Sequence, residues 1–263
     1  DGSWWIVFLG VRPNGYPPAY HRWRETFLAP VQWTNDGWQV VGENGKALLD
    51  FDVPWLATQQ NSASKNCRDD FTDSTLSPVW NFLRNPSPDD LALDARLGWL
   101  RLRCSQTSFS TRTSSPAFIG RRQRHFDCHV ETLLDLMPNS DGDEAGLVVL
   151  MNGTHHYEIA IKQIEGSPYL IVRRQIGSLV AIVARYPMKS YSATLTITAD
   201  RDWYKFAYAE NKETSIEIAC GETRYLSTEV AGGVFGVYLG LYALAESPSG
   251  GAAFFDYFTY QSD

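Results

Sequence analysis

The chain has 263 residues with 23 basic and 30 acidic side chains, so its formal net charge is −7 at neutral pH. This acidic balance lacks the basic footprint that nucleic acid or an anionic membrane surface requires, so we expect neither as a partner. Aromatic residues make up 13% of the chain and only three methionines occur, which is typical of β-structure with sugar-binding aromatic surfaces rather than of helical bundles.

The start of the chain predicts that an upstream segment precedes it. Asp1-Gly2 is a hairpin-turn dipeptide directly before a strand-like run, at a point where an earlier strand would be expected. The N-terminus lacks the basic and apolar regions of a signal peptide, and no apolar run approaches the ~20 residues of a spanning helix. We expect a soluble protein, secreted or extracellular, with a cytoplasmic location as the alternative.

Residues 1–60 predict a small sheet. Its strand-like runs are 4–10, 25–33, 36–41 and a weaker one at 46–51, separated by turns rich in Pro, Gly and Asn. The polar stretch Gln59–Lys65 has no apolar periodicity and marks a boundary. We therefore predict a first unit at 1–60, a linker at 61–68 and a second unit at 69–263.

The second unit predicts an all-β jelly-roll sandwich of two sheets. Twelve strand-like runs occupy 98–104, 117–123, 125–136, 144–151, 155–163, 168–175, 179–186, 191–200, 202–210, 214–220, 236–244 and 253–260. Their spacing of 8 to 12 residues, with hairpin signals at Asn152-Gly153 and Ile176-Gly177, favours antiparallel connections. Helical content should be minor, beyond a turn at 88–90.

The four cysteines, at positions 67, 104, 128 and 220, show no C-x-x-C spacing, which argues against a structural zinc or a redox pair. Free buried thiols are the preferred interpretation, although four cysteines could pair in three ways. Asn152-Gly153-Thr154 is both a glycosylation sequon and a type I′ turn signal, and the turn is the preferred interpretation.

Two stretches of sequence resemble one parent family. The segment WWIVFLGVRP at 4–13, followed by RETFLAPVQWTNDGWQVV at 24–41, resembles the end of the five-bladed propeller of glycoside hydrolase family 43, in its β-xylosidase branch. The segment DDFTDSTLSPVWNFLRNP at 69–86, with the later runs GWLRLRC, EAGLVVLMNGTHHYEIAI, GVYLGLYAL and FFDYFTY, is similar to the concanavalin-like β-sandwich module that follows this propeller.

The resemblance implies an inverting glycosidase that removes xylose from the non-reducing ends of xylooligosaccharides or xylan. Its three catalytic carboxylates sit in earlier blades and have no matching positions here, so we expect no catalytic residue in this chain. The spacing of thirty scattered acids likewise reveals no pair held ~6.5–9.5 Å apart around a water. The implied partners are the sugar and the missing N-terminal propeller part. A non-catalytic carbohydrate-binding module and a purely structural module are the alternatives.

The resemblance also implies two substrate-binding residues. Arg24 of RETF matches an arginine that reaches the bound xylose, a role that suits a guanidinium fork; a structural salt bridge is the alternative. Phe235 lies one place from the phenylalanine that the sandwich inserts into the propeller pocket, and a core or hairpin role is its alternative. We expect Trp4, Trp5, Trp80 and Trp99 in the core rather than on a sugar platform.

We expect no required cofactor, and a structural calcium ion is the one candidate. The first and last strands of such a sandwich usually lie side by side, so Asp70, or its neighbour Asp69, could converge with Asp256 and backbone carbonyls on a hard cation. The acidic loop NSDGDEAG at 139–146 lacks the twelfth-position Glu of an EF-hand. His155 and His156 are adjacent on a predicted strand, so their side chains should face opposite ways.

Overall fold

The structure is a computed structural model that describes residues 2–12, 25–48, 51–53, 66–210, 214–233 and 236–262. The predicted all-β class is confirmed, because strands dominate all the longer described segments. Within these segments, no helix has the length and apolarity to cross a membrane.

The N-terminal residues form a three-stranded antiparallel sheet in the order β1-β2-β3. Its strands are β1 (Trp4–Gly10), β2 (Glu25–Trp33) and β3 (Gln39–Val41). The first two runs coincide with the prediction, and Trp4 pairs with Val31 in their register. The weaker run at 46–51 is not a strand where the structure describes it, since Lys46 forms only an isolated bridge with Glu43; residues 49–50 lie outside the described part.

This small sheet has almost no core of its own. Ala29 is the only buried hydrophobic residue among its described strands, whereas Trp4 and Trp38 are 62% and 72% exposed. The expectation that Trp4 is a core residue is therefore wrong, because no described element covers it. A sheet with so many uncovered apolar side chains presents surfaces suited to further packing.

The remainder of the chain forms the predicted two-sheet sandwich. The strands of both sheets are β4 (Cys67–Asp69), β5 (Leu91–Ala92), β6 (Leu100–Arg103), β7 (Ala117–Arg122), β8 (Cys128–Met137), β9 (Glu144–Asn152), β10 (His155–Ile164), β11 (Ser167–Ile176), β12 (Leu179–Pro187), β13 (Ser192–Ala199), β14 (Trp203–Ala209), β15 (Ile216–Glu222), β16 (Tyr238–Leu244), β17 (Ala252–Phe255) and β18 (Phe258–Ser262). One sheet has the order β12-β11-β10-β9-β16-β7. The other follows β15-β14-β13-β8-β17-β6-β5, with β18 pairing to both β4 and β8.

The strand prediction differs from the structure in two details, and the predicted helical turn is confirmed. The run at 253–260 is two strands, because Asp256 and Tyr257 separate β17 from β18. The short strands β4 and β5 were not predicted, since two or three residues carry no measurable alternation. The turn at Pro88–Asp90 is confirmed as a 3-10 helix with a Ser87 capping box, and short helical turns also occupy Thr223–Leu226 and Thr228–Ala231.

The core lies between the two sheets and follows from strand alternation. Along β8, buried and half-buried residues alternate over nine positions, so one face of this strand is covered throughout. Large inward side chains from both sheets, including Tyr157, Phe206 and Phe255, are fully buried in one continuous cluster. Tyr157 also donates its phenol proton to the carbonyl of Glu222 at 2.9 Å, which satisfies its buried hydroxyl.

The two ends of the sandwich module are joined by strand pairing. β4 pairs antiparallel with β18, with Asp69 opposite Phe258. Asp69 accepts a hydrogen bond from the Trp80 indole N–H at 2.7 Å, and the Trp80 ring packs edge-on against Phe258 at 4.9 Å. Trp80 is thus in the core, as predicted, and it ties the first strand of the module to the last.

Both predicted hairpins are present, but the predicted type I′ turn at Asn152-Gly153 is wrong, because neither residue has the positive φ that this turn type requires. Asn152 ends β9 and its amide donates to the carbonyl of Ala231 at 3.0 Å, so this side chain holds two loops together. Gly177 adopts a φ of +63° in the turn between β11 and β12, a conformation that glycine adopts without strain. Of the four cysteines, Cys104 and Cys128 are buried, whereas positions 67 and 220 are half-buried, and none is in a disulfide.

A single buried carboxylate anchors the loop between β8 and β9. Asp143 is fully buried, and its Oδ2 accepts backbone N–H groups from Asn139 and Gly251 at 2.8 Å and from Ser140 at 3.2 Å. Gly251 directly precedes β17, so this one side chain connects two distant parts of the chain. The acidic loop that superficially resembles a calcium loop therefore has a structural use for Asp143.

We expect Asp143→Ala to lower the free energy of unfolding by on the order of 3 kcal/mol, because buried N–H groups lose a charged acceptor. Urea denaturation measures this change. Asp141→Ala is the matched control, since exposed Asp141 accepts only from the Gly166 N–H; its loss should stay within about 1 kcal/mol. Equal losses in the two variants would contradict the anchoring role of Asp143.

Candidate functional site

The structure describes only part of the predicted site set. Arg24 and Phe235 both lie outside the described residues, so their substrate-binding roles stay predictions. Asp70 and Asp256 lie in described segments near the paired strands β4 and β18. The two ends of the module are adjacent, as the calcium prediction requires.

Two of the three carboxylates at this edge, those of Asp69 and Asp70, already have partners. Asp70 is half exposed and accepts from Arg68 Nε at 2.7 Å. Both oxygens of Asp69 accept hydrogen bonds, one from the Phe71 N–H and one from Trp80. Across the described segments, no three His, Cys, Asp or Glu side chains are grouped for a metal ion. These side chains fit a cation poorly, and calcium at Asp70 and Asp256 stays a prediction.

Buried charges are concentrated elsewhere, on the face of the six-stranded sheet that points away from the core. The register places Glu158 of β10 opposite Arg173 of β11, and Lys162 of β10 opposite Glu144 of β9. Because strand residues alternate between faces, Glu158 points outward while its neighbours Tyr157 and Ile159 enter the core. The charged set therefore lies on one surface of the sheet.

The segment 104–116 covers this surface and buries the charges. Phe109 from this segment packs on Phe118, Val148 and Tyr242 in a second, smaller apolar cluster. Beneath this cover, Glu144 is fully buried and Glu158 is 2% exposed. Carboxylates at such depth must be paired, since removing an isolated charge from water is costly.

Arg173 pairs with both carboxylates. Its terminal nitrogens donate to the two oxygens of Glu144, and its Nε donates to Oε2 of Glu158. Lys162 adds a second cation 3.2 Å from Glu144 and also contacts Glu246. Two buried acids thus share one guanidinium, with the lysine favouring Glu144.

Because Glu144 and Glu158 are paired unequally, their pKa values shift in opposite directions. Burial alone would raise the pKa of Glu144, but Arg173 and Lys162 outweigh it and the pKa falls below its ordinary value. Burial raises the pKa of Glu158 to about 7, because Arg173 only partly offsets it and Glu144 repels a second negative charge. Burial also lowers the pKa of His156 to about 4, so this imidazole is neutral at physiological pH.

Beside this network lies a pocket of about 100 Å³. Its lining combines apolar and polar groups: Phe109, Tyr242 and Leu244 with Ser108, Ser110, His156, Glu158, Arg173 and Gln175. A single water needs roughly 10–15 Å³ measured in this way, so the pocket has room for several waters or a small ring. Pockets that join a few convergent polar groups to aromatic walls are typical of ligand sites.

The orientation of His156 follows from its partner. Nδ1 lies 3.3 Å from the carbonyl oxygen of Asn152, which can only accept, so Nδ1 carries the proton. Nε2 of the neutral ring therefore presents a lone pair, 3.7 Å from Oε1 of Glu158. Within the described structure, Oε1 accepts no hydrogen bond, because Arg173 binds the other oxygen. When Glu158 is ionised, two acceptors therefore face each other at the pocket; when it is protonated, the proton on Oε1 lies on the side of His156.

Sequence reasoning missed this site. The adjacency of His155 and His156 argues against a shared metal ion but does not indicate a pocket. The available signal was charge at alternate positions of otherwise apolar strands, namely His156, Glu158 and Lys162 along β10. Alternation identified the sheet face, but only the structure shows that a distant segment covers it.

Between pH 6.5 and 4 the unfolded chain binds a proton at His156 that the folded protein does not. The free energy of unfolding therefore decreases as the pH is lowered through this range. This loss reaches on the order of 3 kcal/mol. The raised pKa of Glu158 has the opposite effect on the free energy of unfolding. The stability that Glu158 contributes is fully present at low pH and is lost as the pH rises towards 7. Only the histidine component disappears in His156→Gln.

We expect His156→Gln to lose less stability than the unmutated chain as pH falls from 6.5 to 4. Urea unfolding across that range measures the difference. Parallel curves for His156→Gln and the unmutated chain would contradict a buried neutral imidazole.

Comparison with known proteins places this chain in a family. The family model described as "Beta xylosidase C-terminal Concanavalin A-like domain" matches residues 68–261. The chain is 35% identical over 264 residues to "Non-reducing end alpha-L-arabinofuranosidase BoGH43B" of Bacteroides ovatus, covering 99% of this chain and 49% of that protein. It is also 26% identical to "Beta-xylosidase" of Bacillus subtilis, covering 98% of this chain and 51% of the relative.

The fold agrees with these matches. The solved structure of "Bacteroides ovatus Xyloglucan PUL GH43B" superposes with a TM-score of 0.92 at 35% identity, covering all of this chain and 52% of that one. The chain therefore spans about half the length of the relatives it matches. A family model over residues 68–261 and this likeness along the whole chain show that it belongs to glycoside hydrolase family 43, as the C-terminal part with its concanavalin-like β-sandwich domain.

Proposed function

We propose that this chain is the C-terminal part of a family 43 glycoside hydrolase that removes terminal pentose units, with xylose as the first candidate, from xylan-type oligosaccharides. The observation that carries the proposal is the family match over residues 68–261, in a chain that spans about half of its relatives. The sandwich completes and stiffens the sugar pocket, and an N-terminal propeller part supplies the acid and base.

The three-stranded sheet supports a role beside further propeller blades. Trp4, Val7 and Leu9 of β1 are each more than half exposed, as are Trp33 and Trp38 near the other edge. Blades of a propeller bury such side chains against their neighbours. A part of about 60 residues amounts to roughly one blade, so the remaining wall of the ring must come from other residues.

The chemistry then divides between the two parts. Inverting hydrolysis uses a carboxylate to activate water and a carboxylic acid to protonate the leaving oxygen, on opposite sides of the sugar. We place both groups in the N-terminal part. Arg24 would hold sugar hydroxyls with its guanidinium, and Phe235 would close the pocket with an apolar ring.

The identity of the pentose is part of the proposal. One relative is named for α-L-arabinofuranose and another for β-xylose. Hydrolysis assays with both the 4-nitrophenyl β-xyloside and the α-L-arabinofuranoside on the longer natural protein decide between them.

We expect the 263-residue chain alone to give no turnover of either nitrophenyl glycoside, and the longer natural protein to hydrolyse at least one. Addition of a separately produced N-terminal propeller part should restore activity if the exposed sheet accepts it. Turnover by the chain alone would place an acid and a base within it. A longer protein inactive on both glycosides would contradict the proposed activity.

In the longer protein, we expect Arg24→Ala to lower kcat/KM by about 10- to 100-fold, because hydrogen bonds from a charged donor are lost. Phe235→Ala should raise KM by a smaller factor, since it removes apolar contact alone. Arg68→Ala is the control, because Arg68 is an exposed partner of Asp70 and should leave the kinetics unchanged. Unaltered kinetics for both test variants would remove these residues from the sugar site.

A further inference from the structure

We propose that the pocket between the segment 104–116 and the six-stranded sheet is a second, non-catalytic sugar-binding site. Its recognition element is the pair of acceptors formed by Oε1 of Glu158 and Nε2 of His156, 3.7 Å apart. Neighbouring hydroxyls of a sugar ring donate their protons to this pair.

The first step of the argument is polarity. Glu158 is 2% exposed and His156 is 4% exposed, so bulk water hardly reaches either group. With Glu158 ionised, neither atom that faces the pocket has a hydrogen-bond donor among the described residues. A ligand that supplies two donors side by side resolves both deficits at once, and a pair of vicinal hydroxyls is such a donor set.

The second step is shape. Phe109 and Tyr242 form an apolar wall, with ring centroids 5.5 Å apart. Ser108 and Ser110 also line the pocket; their hydroxyls are 2.9 Å apart and hydrogen-bonded to each other, and a hydroxyl has capacity for a further hydrogen bond with a ligand. A sugar ring has an apolar C–H surface and a polar rim, so it matches both kinds of lining.

The third step excludes competing ligand classes. An anion would meet a carboxylate and a lone pair, and the Arg173 guanidinium is already directed at Glu144 and Glu158. A hard metal ion prefers six or more oxygen ligands, whereas the described chain offers no group of three acidic, His or Cys side chains. A cationic amine could also donate to this pair, and methylamine therefore serves as a competing probe in the test.

The site is independent of the proposed hydrolytic activity, because it needs no residue from the propeller. Only the choice of pentoses as probes rests on the proposed function. The sugar could enter as a free monosaccharide or as part of a polysaccharide, and both present the same hydroxyl pairs. Xylose, arabinose, glucose and xylohexaose therefore form the arms of the experiment.

The most selective variant is Glu158→Gln. Arg173 Nε needs an acceptor, so the amide oxygen of the new side chain should face Arg173 and its NH₂ group should face the pocket. The substitution thus converts the free acceptor into a donor at nearly constant volume. Glu131→Gln is the matched control, because Glu131 forms a comparable but more exposed His–Glu pair with His129 at 3.9 Å on the other sheet.

In the experiment, the 263-residue chain is titrated with each sugar and with methylamine. Binding is measured by calorimetry and by the shifts of the NMR signals of the His156 ring. We expect at least one sugar to bind at millimolar concentration with movement of the His156 signals, and Glu158→Gln to weaken binding about tenfold or more. Glu131→Gln should bind as the unmutated chain does. Binding of xylohexaose but not of monosaccharides would identify a polysaccharide segment as the source.

Three results would overturn the proposal: His156 signals that do not move with any sugar, sugar affinity that survives Glu158→Gln, or movement with methylamine alone. If Glu158→Gln does not fold, the His156 signals of the unmutated chain still decide. In the longer protein, Glu158→Gln should retain hydrolysis of the nitrophenyl glycoside. Failure of the sugar site is thereby distinguished from failure of the proposed activity.

Discussion

Burial of apolar side chains between two stacked sheets is the interaction on which this structure depends. Strand alternation sends Tyr157 and Ile159 into that core, and the same period of two sends Glu158 to the opposite face. That face is not left in water, because Phe109 and its segment cover it. The arrangement of the core therefore produces, one residue away, a set of charges with little access to solvent.

Charges that are buried under a covering segment need oppositely charged partners. Here the pairing leaves one oxygen of Glu158 without a hydrogen-bond partner among the described residues. Arg173 satisfies Glu144 fully and Glu158 by one oxygen. The remaining oxygen and the neutral His156 ring leave a polar gap beside an aromatic wall. A stability requirement and a binding property thus arise from the same few residues, since pairing the second carboxylate fully would close the gap.

Much of the fold could be predicted because strands of seven to ten residues are long enough to show apolar–polar alternation and are bounded by turn residues. β1 and β2 were predicted to the residue, and the hairpin at Gly177 followed from local turn chemistry, whereas the hairpin after Asn152 formed without the type I′ turn that its sequence predicts. The separation of β17 from β18 was missed, because Asp256 and Tyr257 interrupt an otherwise continuous aromatic run without a glycine or proline. The exposure of Trp4 was not predicted, because an apolar strand pattern does not show which other elements cover the strand.

The site could be predicted much less well, for a physical reason. Arg24 and Phe235 came from resemblance, and Asp70 and Asp256 from the expected pairing of the first and last strands. The pocket instead joins β10, β11 and β16 to the covering segment. Contacts between residues so distant along the chain leave no local spacing to detect. His156 and Glu158 showed only that charge occurs where apolar residues are expected.

The central claim is that this chain provides one side of a family 43 sugar pocket whose acid and base come from other residues. The most direct measurement is an experimental structure of the longer natural protein with a bound, unhydrolysed xylooligosaccharide. The account predicts that the carboxylates flanking the scissile bond belong to residues upstream of this chain, with Arg24 and Phe235 against the terminal sugar. A sugar held between two carboxylates that both lie within these 263 residues would contradict it.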